Sequence, residues 1–163
     1  MTNVIEVVAL KMIRYFGKDA RRINHALKVH SFAGMIAASE AFAAEQRQIL
    51  EIAALLHDIG IQEAERRYQS TAGHYQEELG PAIARALLQD LDIPGNALDR
   101  ICYLIGHHHT YSQIDGPDYQ ILVEADFLVN IFEDPMDSAQ IAAVRQKYFK
   151  TKAGAELLER MYL

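Results

Sequence analysis

An all-α fold is what the sequence predicts, and three observations predict it. Apolar residues recur at helical spacing along almost the whole chain. No run alternates apolar and polar residues between hairpin turns. Gly, Pro and Asp fall between the periodic stretches. Half of the 163 residues are hydrophobic, enough to bury one core in a compact multi-helix bundle, a single domain over residues 1–163, without disulfides or a partner.

Val4, Val7, Val8, Met12 and Phe16 mark a first helix, which stops near Gly17 and Asp19, with Asp19 placed to cap the next. Glu6, Lys11 and Arg14 interrupt residues 1–16, which therefore read as an amphipathic helix and not as a secretory signal. A second helix is expected from about Ala20 to Ala44, with Ile23, Leu27, Ile36 and Phe42 among its apolar positions. A third runs from Gln46 to Ile59, and Gly60 fits its end. Gly73 and the Gly80-Pro81 pair bracket an expected irregular connection, followed by a helix from Ala82 to Asp90. The Ile93-Pro94-Gly95 break precedes a helix from Asn96 to His108, and Ser112 to Pro117 reads as a loop. The last helices are expected at Tyr119 to Phe132, Ser138 to Tyr148 and Ala153 to Tyr162. There is no internal repeat and no linker long enough to divide the chain.

Sixteen Lys plus Arg against 22 Asp plus Glu leave a formal net charge of −6, which argues against nucleic acid polymers as ligands. A small phosphorylated substrate is compatible with it, because a metal and one or two local cations reverse the potential inside a cleft. Cys102 is the only cysteine, so neither a disulfide nor a thiolate cluster can form within the chain, and its apolar neighbours predict a buried thiol. No apolar run approaches the roughly 18 residues of a membrane span. A cytoplasmic protein without membrane contact is expected, and a homo-oligomer is compatible with this composition.

The most informative dipeptide is His57-Asp58, at the end of the apolar run Ile52-Ala53-Ala54-Leu55-Leu56. A buried carboxylate costs several kcal/mol unless it is paired or metal-bound; on its own, however, the dipeptide reads equally as a structural or capping feature. His25 and Asp126 interrupt two further apolar helical stretches. Three polar interruptions of three buried faces can satisfy one another around a divalent cation, for which imidazole and carboxylate are suitable donors. Such an ion would activate water and offset charge on phosphoryl oxygens.

His25, then His57-Asp58, then Asp126 resembles the His…His-Asp…Asp signature of the HD domain superfamily. The likeness extends over about Ala20 to Asp134: Val29 and Ala33 after His25, the run from Ala53 to Gly60, Gly80 in a helix start, His108-His109 and Ala125-Asp126 fall in the family's order. The resemblance implies a helical fold and a mono- or binuclear divalent metal site (Mn, Mg, Fe, Co, Ni or Zn). It also implies hydrolysis of a phosphomonoester or phosphodiester in a nucleotide or related metabolite. His25, His57, Asp58 and Asp126 are then the expected metal ligands.

For a second ion the family spacing points near Gln76, whereas the histidine present is His74. A mononuclear site is therefore expected, with His74 and His108 as candidates for a second ion. His30, five residues after His25, lies off its helical face and is read as a non-ligand. Of His107 to His109, at least one should face the cleft. His108 or His109 is expected to stabilise charge or protonate the leaving oxygen, while Asp58 ligates and orients. Arg22, three residues before His25, is a candidate for binding substrate phosphate, and Lys28 a weaker one. Glu77 and Glu78 are candidates for a general base or for a partner of a ligating histidine. Two other readings accompany the hydrolase: a di-iron oxygenase, and a metal- or nucleotide-binding regulatory protein without turnover.

Overall fold

The computed structural model describes residues 3–163, so the reading of a helix from residue 1 lies partly outside the described residues. Helix α1 (Val4–Phe16) starts where the Asn3 side chain accepts from the Ile5 N–H at 3.0 Å, and ends at Gly17 with φ +66°. Helix α2 (Ala20–Ser39) starts on Asp19, whose carboxylate accepts from the Arg22 N–H at 3.3 Å, the cap expected from the sequence. It ends at Ser39 instead of Ala44, because the chain turns through Ala41 at φ +56°. The alanine-rich sequence carries no stop signal there.

Helix α3 (Ala44–Leu56) buries Leu50 and the whole run Ile52 to Leu56, and packs against α1, α2, and two later helices that complete the core. Residues 57–60 turn the chain into α4 (Ile61–Tyr68), a helix the sequence reading omitted. Only Ala64 of it is buried, Ile61 is half-buried beside it, and Glu63, Glu65, Arg66 and Arg67 make the rest polar, so in eight residues the apolar stripe is only two or three positions long.

Helix α5 (Gly73–Leu88) replaces the expected irregular connection and continues through Pro81. Gly80 serves close packing and breaks nothing: a Cβ there would sit 2.8 Å from Ile105 Cγ2. A Cβ on Gly60 would sit 2.8 Å from both Gln76 O and Gly80 N. Gly60 thus lets the turn after α3, which carries His57 and Asp58, lie directly on the backbone of α5, and Gly80 lets Ile105 pack against that backbone from the other side.

Helix α6 (Gly95–Ile105) stops short of the expected His108, and residues 107–110 form a turn closed by Thr110 N–H to His107 O at 2.8 Å. Helix α7 (Pro117–Glu133) is buried along most of its length and packs on α2 and α3. Helices α8 (Ser138–Tyr148) and α9 (Lys152–Tyr162) close over α7, α8 starting with a capping box between Asp137 and Gln140. The described residues contain nine α-helices, one 3₁₀ turn at Tyr111–Gln113 and no strand. Cys102 is buried, as expected, with Sγ 3.7 Å from Pro81 O. No described helix is long and apolar enough to cross a membrane.

Candidate metal centre

Helix α2 presents His25 where it crosses α3 and α7; His57 and Asp58 emerge just past the end of α3; Asp126 comes from the middle of α7. The His25 and His57 Nε2 atoms are 3.1 Å apart. Asp126 Oδ1 is 3.1 Å from His25 Nε2 and 3.4 Å from His57 Nε2, and Asp58 Oδ2 is 3.4 Å from each. All but Asp58 are almost fully buried.

Both imidazoles are oriented through their other nitrogen. His25 Nδ1 donates to Glu133 Oε2 at 3.0 Å, and His57 Nδ1 donates to the Ala54 carbonyl at 2.7 Å. In neutral rings this leaves both Nε2 lone pairs aimed at each other and at two carboxylate oxygens, and Asp126 Oδ1 has no hydrogen-bond partner among the described residues. Only added protons or a cation can relieve that convergence. The donors fit a cation: at metal–ligand bonds of about 2.1 Å, neighbouring donors stand about 3.0 to 3.4 Å apart in octahedral or tetrahedral geometry.

The charges respond accordingly. Burial alone would lower the pKa of His57, but Asp58 and Asp126 outweigh it and raise it to about 9. Burial works against Asp58 and Asp126 too, yet the facing imidazoles hold both carboxyls well below the usual range.

A cleft of about 300 Å³ opens over the cluster, lined among others by Arg21, Arg22, Gln76, His109 and Asn130. Arg22 lies on its wall, held by Asp19 at 3.1 Å and Glu65 at 2.5 Å. Arg21 is mostly exposed and reaches only Asp134, at 3.9 Å. His108 is buried and turned away from the cleft, with Nδ1 donating to the Ile105 carbonyl at 2.7 Å and Nε2 3.2 Å from Asp58 Oδ1. His109 faces the cleft, its Nε2 3.3 Å from Gln76 Oε1; burial first, and then His108, push its pKa down to about 4.

Other candidates lie elsewhere. His74 packs its ring against Tyr75 and is not among the described His, Asp and Glu groups whose ligand atoms lie close enough to share an ion. Lys28 does not line the cleft; its Nζ lies 3.3 Å from Glu133 Oε1 and over the Phe132 ring. Glu77 accepts from Thr110 and Glu78 from Tyr68, so neither reaches the cluster. His30 sits against Glu51, and His107 stacks on Tyr103. The sequence reading missed Glu133 and Asn130, although they follow Asp126 by seven and four residues, the spacing of one helical face. It also missed the role of Gln76, whose Nε2 donates to the Thr71 carbonyl at 2.7 Å and so fixes the Oε1 that meets His109.

Fold and site together define a helical protein whose buried His/Asp cluster fits a divalent metal ion. A family model for the HD domain matches residues 22–160, and the chain belongs to that family. The crystal structure of a predicted HD superfamily hydrolase from an uncultured Thermotogales bacterium shares the fold. It superposes with a TM-score of 0.70 at 23% identity, covering 99% of this chain and 91% of that one. No curated protein matches the sequence.

Proposed function

We propose that the protein is a metal-dependent phosphohydrolase acting on a small phosphorylated metabolite, a nucleotide or related phosphoester. The carrying observation is the 3.1 Å approach of two Nε2 atoms whose rings already donate through Nδ1, beside the unpartnered Asp126 Oδ1. His25, His57, Asp58 and Asp126 would hold the ion. A divalent ion there supplies Lewis acidity toward water and a phosphoryl oxygen. The cleft of about 300 Å³ suits a small ester, and the net charge of −6 disfavours a polymer.

The chain's own groups have distinct parts. Asp58 faces the cluster with Oδ2 and His108 with Oδ1, so His108 fixes the carboxylate that orients the attacking water. Arg21 and Arg22 line the cleft as the cations for phosphate: Arg22 shares its donors with Asp19 and Glu65, and Arg21, which reaches only Asp134, is the freer of the two. His109 faces the cleft with Nε2 3.3 Å from Gln76 Oε1 and positions the ester.

A second reading places another ion between Asp58, His108 and His109, whose ligand atoms lie within 4.8 Å of one another. Gln76 opposes it by occupying His109 Nε2. A screen of nucleotides and simple phosphoesters with added Mn²⁺, Co²⁺ or Ni²⁺ tests the hydrolase: phosphate release is expected, and it should fall more than about 100-fold in Asp126→Asn. Metal binding without turnover on any phosphoester would favour the regulatory reading instead.

A further inference from the structure

A second cavity, of about 530 Å³, lies between the turn that carries His109 and the end of α8. It is lined by Tyr111, Ser112, Ile114, Gln120, Lys147, Tyr148 and Lys150, and shares no lining residue with the cleft over the cluster. Its aromatic wall is built from packed rings. Tyr148 stacks on Phe127 with centroids 4.9 Å apart and planes at 18°, and Tyr111 leans on both rings at 5.3 and 5.0 Å. Phe127 directly follows Asp126, so the wall and the cluster rest on adjacent residues of α7.

The polar groups of this cavity are unspent. Neither tyrosine hydroxyl at its wall makes a hydrogen bond among the described residues. Gln120 is pinned by its Nε2, which donates to Glu124 Oε2 at 2.9 Å and to the Tyr148 carbonyl at 2.8 Å, leaving Oε1 without a partner there. Lys147 and Lys150 pair with no carboxylate among the described residues. Lys147 Nζ lies over the Tyr148 ring at 5.1 Å, and Lys150 reaches only the Gln146 carbonyl, at 3.4 Å. Lys152, next along the chain, is likewise unpaired, whereas most other cations of this acidic chain have an acidic partner. A positive patch thus borders an aromatic cleft in a molecule of net charge −6.

We propose that the Tyr111–Tyr148 cleft is a second ligand site, taking a flat organic anion: an aromatic ring seated against the tyrosines, with a phosphate or carboxylate between Lys147 and Lys150. Aromatic faces give stacking, the ammonium groups select negative charge, and the Gln120 oxygen accepts from a ring amine. An inorganic ion would leave the aromatic wall bare, and an uncharged ring would leave the lysines unused. Because one short segment carries His108 and His109 at one end and Tyr111, Ser112 and Ile114 at the other, the ligand braces the turn behind the metal centre. The site stands on its own lining and does not depend on hydrolysis at the cluster.

The test is calorimetric titration of the full-length Asp126→Asn protein, which removes the metal-dependent binding proposed over the cluster, with AMP, alongside adenosine and inorganic phosphate. The same titration is run on Asp126→Asn that also carries Lys147→Gln/Lys150→Gln. AMP should bind Asp126→Asn saturably and more tightly than adenosine or phosphate, and at least about tenfold more weakly once the two lysines are replaced. No saturable binding of AMP, GMP or CMP to Asp126→Asn, or AMP binding unchanged by the lysine substitutions, would overturn the proposal. So would phosphate binding as tightly as AMP.

Discussion

His57 carries the sharpest consequence at the scale of single residues. Its imidazole is fully buried against two carboxylates, which outweigh burial and hold its pKa near 9 in the metal-free protein, above the ordinary 6.5. A raised folded-state pKa stabilises the fold fully below 6.5, and that contribution disappears as pH rises through 9. A divalent ion competes for the same Nε2, so its affinity should rise over the same window, with release of a proton. Thermal unfolding with and without chelator at pH 6, 7.5 and 9 checks both signs: the metal-free midpoint should fall toward pH 9 while the gain from metal widens. A gain independent of pH would mean that His57 is not a ligand. Glu133 offers a second check, because its carboxylate fixes His25 Nδ1. Glu133→Gln should weaken metal affinity about 10- to 100-fold with little loss of stability, measured by competition with a chromophoric chelator. The His and Asp residues of this cluster were legible because each is a polar interruption of an apolar helical run. Glu133 was not legible, since a carboxylate near a helix end looks like ordinary surface, and Gln76 was marked only by the family spacing, because a glutamine beside acidic residues carries no signal of its own.

Among the elements, the approach of the residue 57–60 turn to α5 decides where the ligands sit. A Cβ at Gly60 would strike backbone atoms of Gln76 and Gly80 that cannot move singly, and a Cβ at Gly80 would strike the Cγ2 branch of the fully buried Ile105, a side chain stiff at χ1. Gly60→Ala and Gly80→Ala should therefore each destabilise by about 1 to 3 kcal/mol, and Gly60→Ala, in the turn that carries His57 and Asp58, should also weaken metal binding. Chemical denaturation of both variants checks the costs, and a neutral Gly60→Ala would show that the two backbones separate easily. The same contact explains the main error in the sequence reading. Gly80-Pro81 looks like a helix break because Gly is flexible and Pro lacks an N–H, yet the glycine is there for close packing and α5 absorbs the proline. Helix α4 escaped for another reason: at eight residues it offers only Ile61, Ala64 and Tyr68 at helical spacing, among four charged side chains. The early end of α2 depends on a single left-handed alanine, a conformation that alanine does not advertise.

Across the whole molecule, the all-α class, the single core and most helix positions follow from apolar periodicity, because the second half of α3 and most of α7 are buried and the remaining helices turn their apolar faces to them. What periodicity cannot supply is the order in which helices meet, and it is the meeting of α2, α3 and α7 that brings residues 25, 57, 58 and 126 together. Membership of the HD domain family and the buried His/Asp cluster agree on a divalent metal centre. The most direct test is titration of Mn²⁺ or Co²⁺ into metal-stripped protein, wild type and Asp126→Asn, with helicity followed by circular dichroism. The wild type should take up a single tightly bound ion per chain, and Asp126→Asn should lose it while keeping its helices. Wild-type protein that binds no ion, or an Asp126→Asn variant that binds as tightly as wild type, would contradict the metal centre itself.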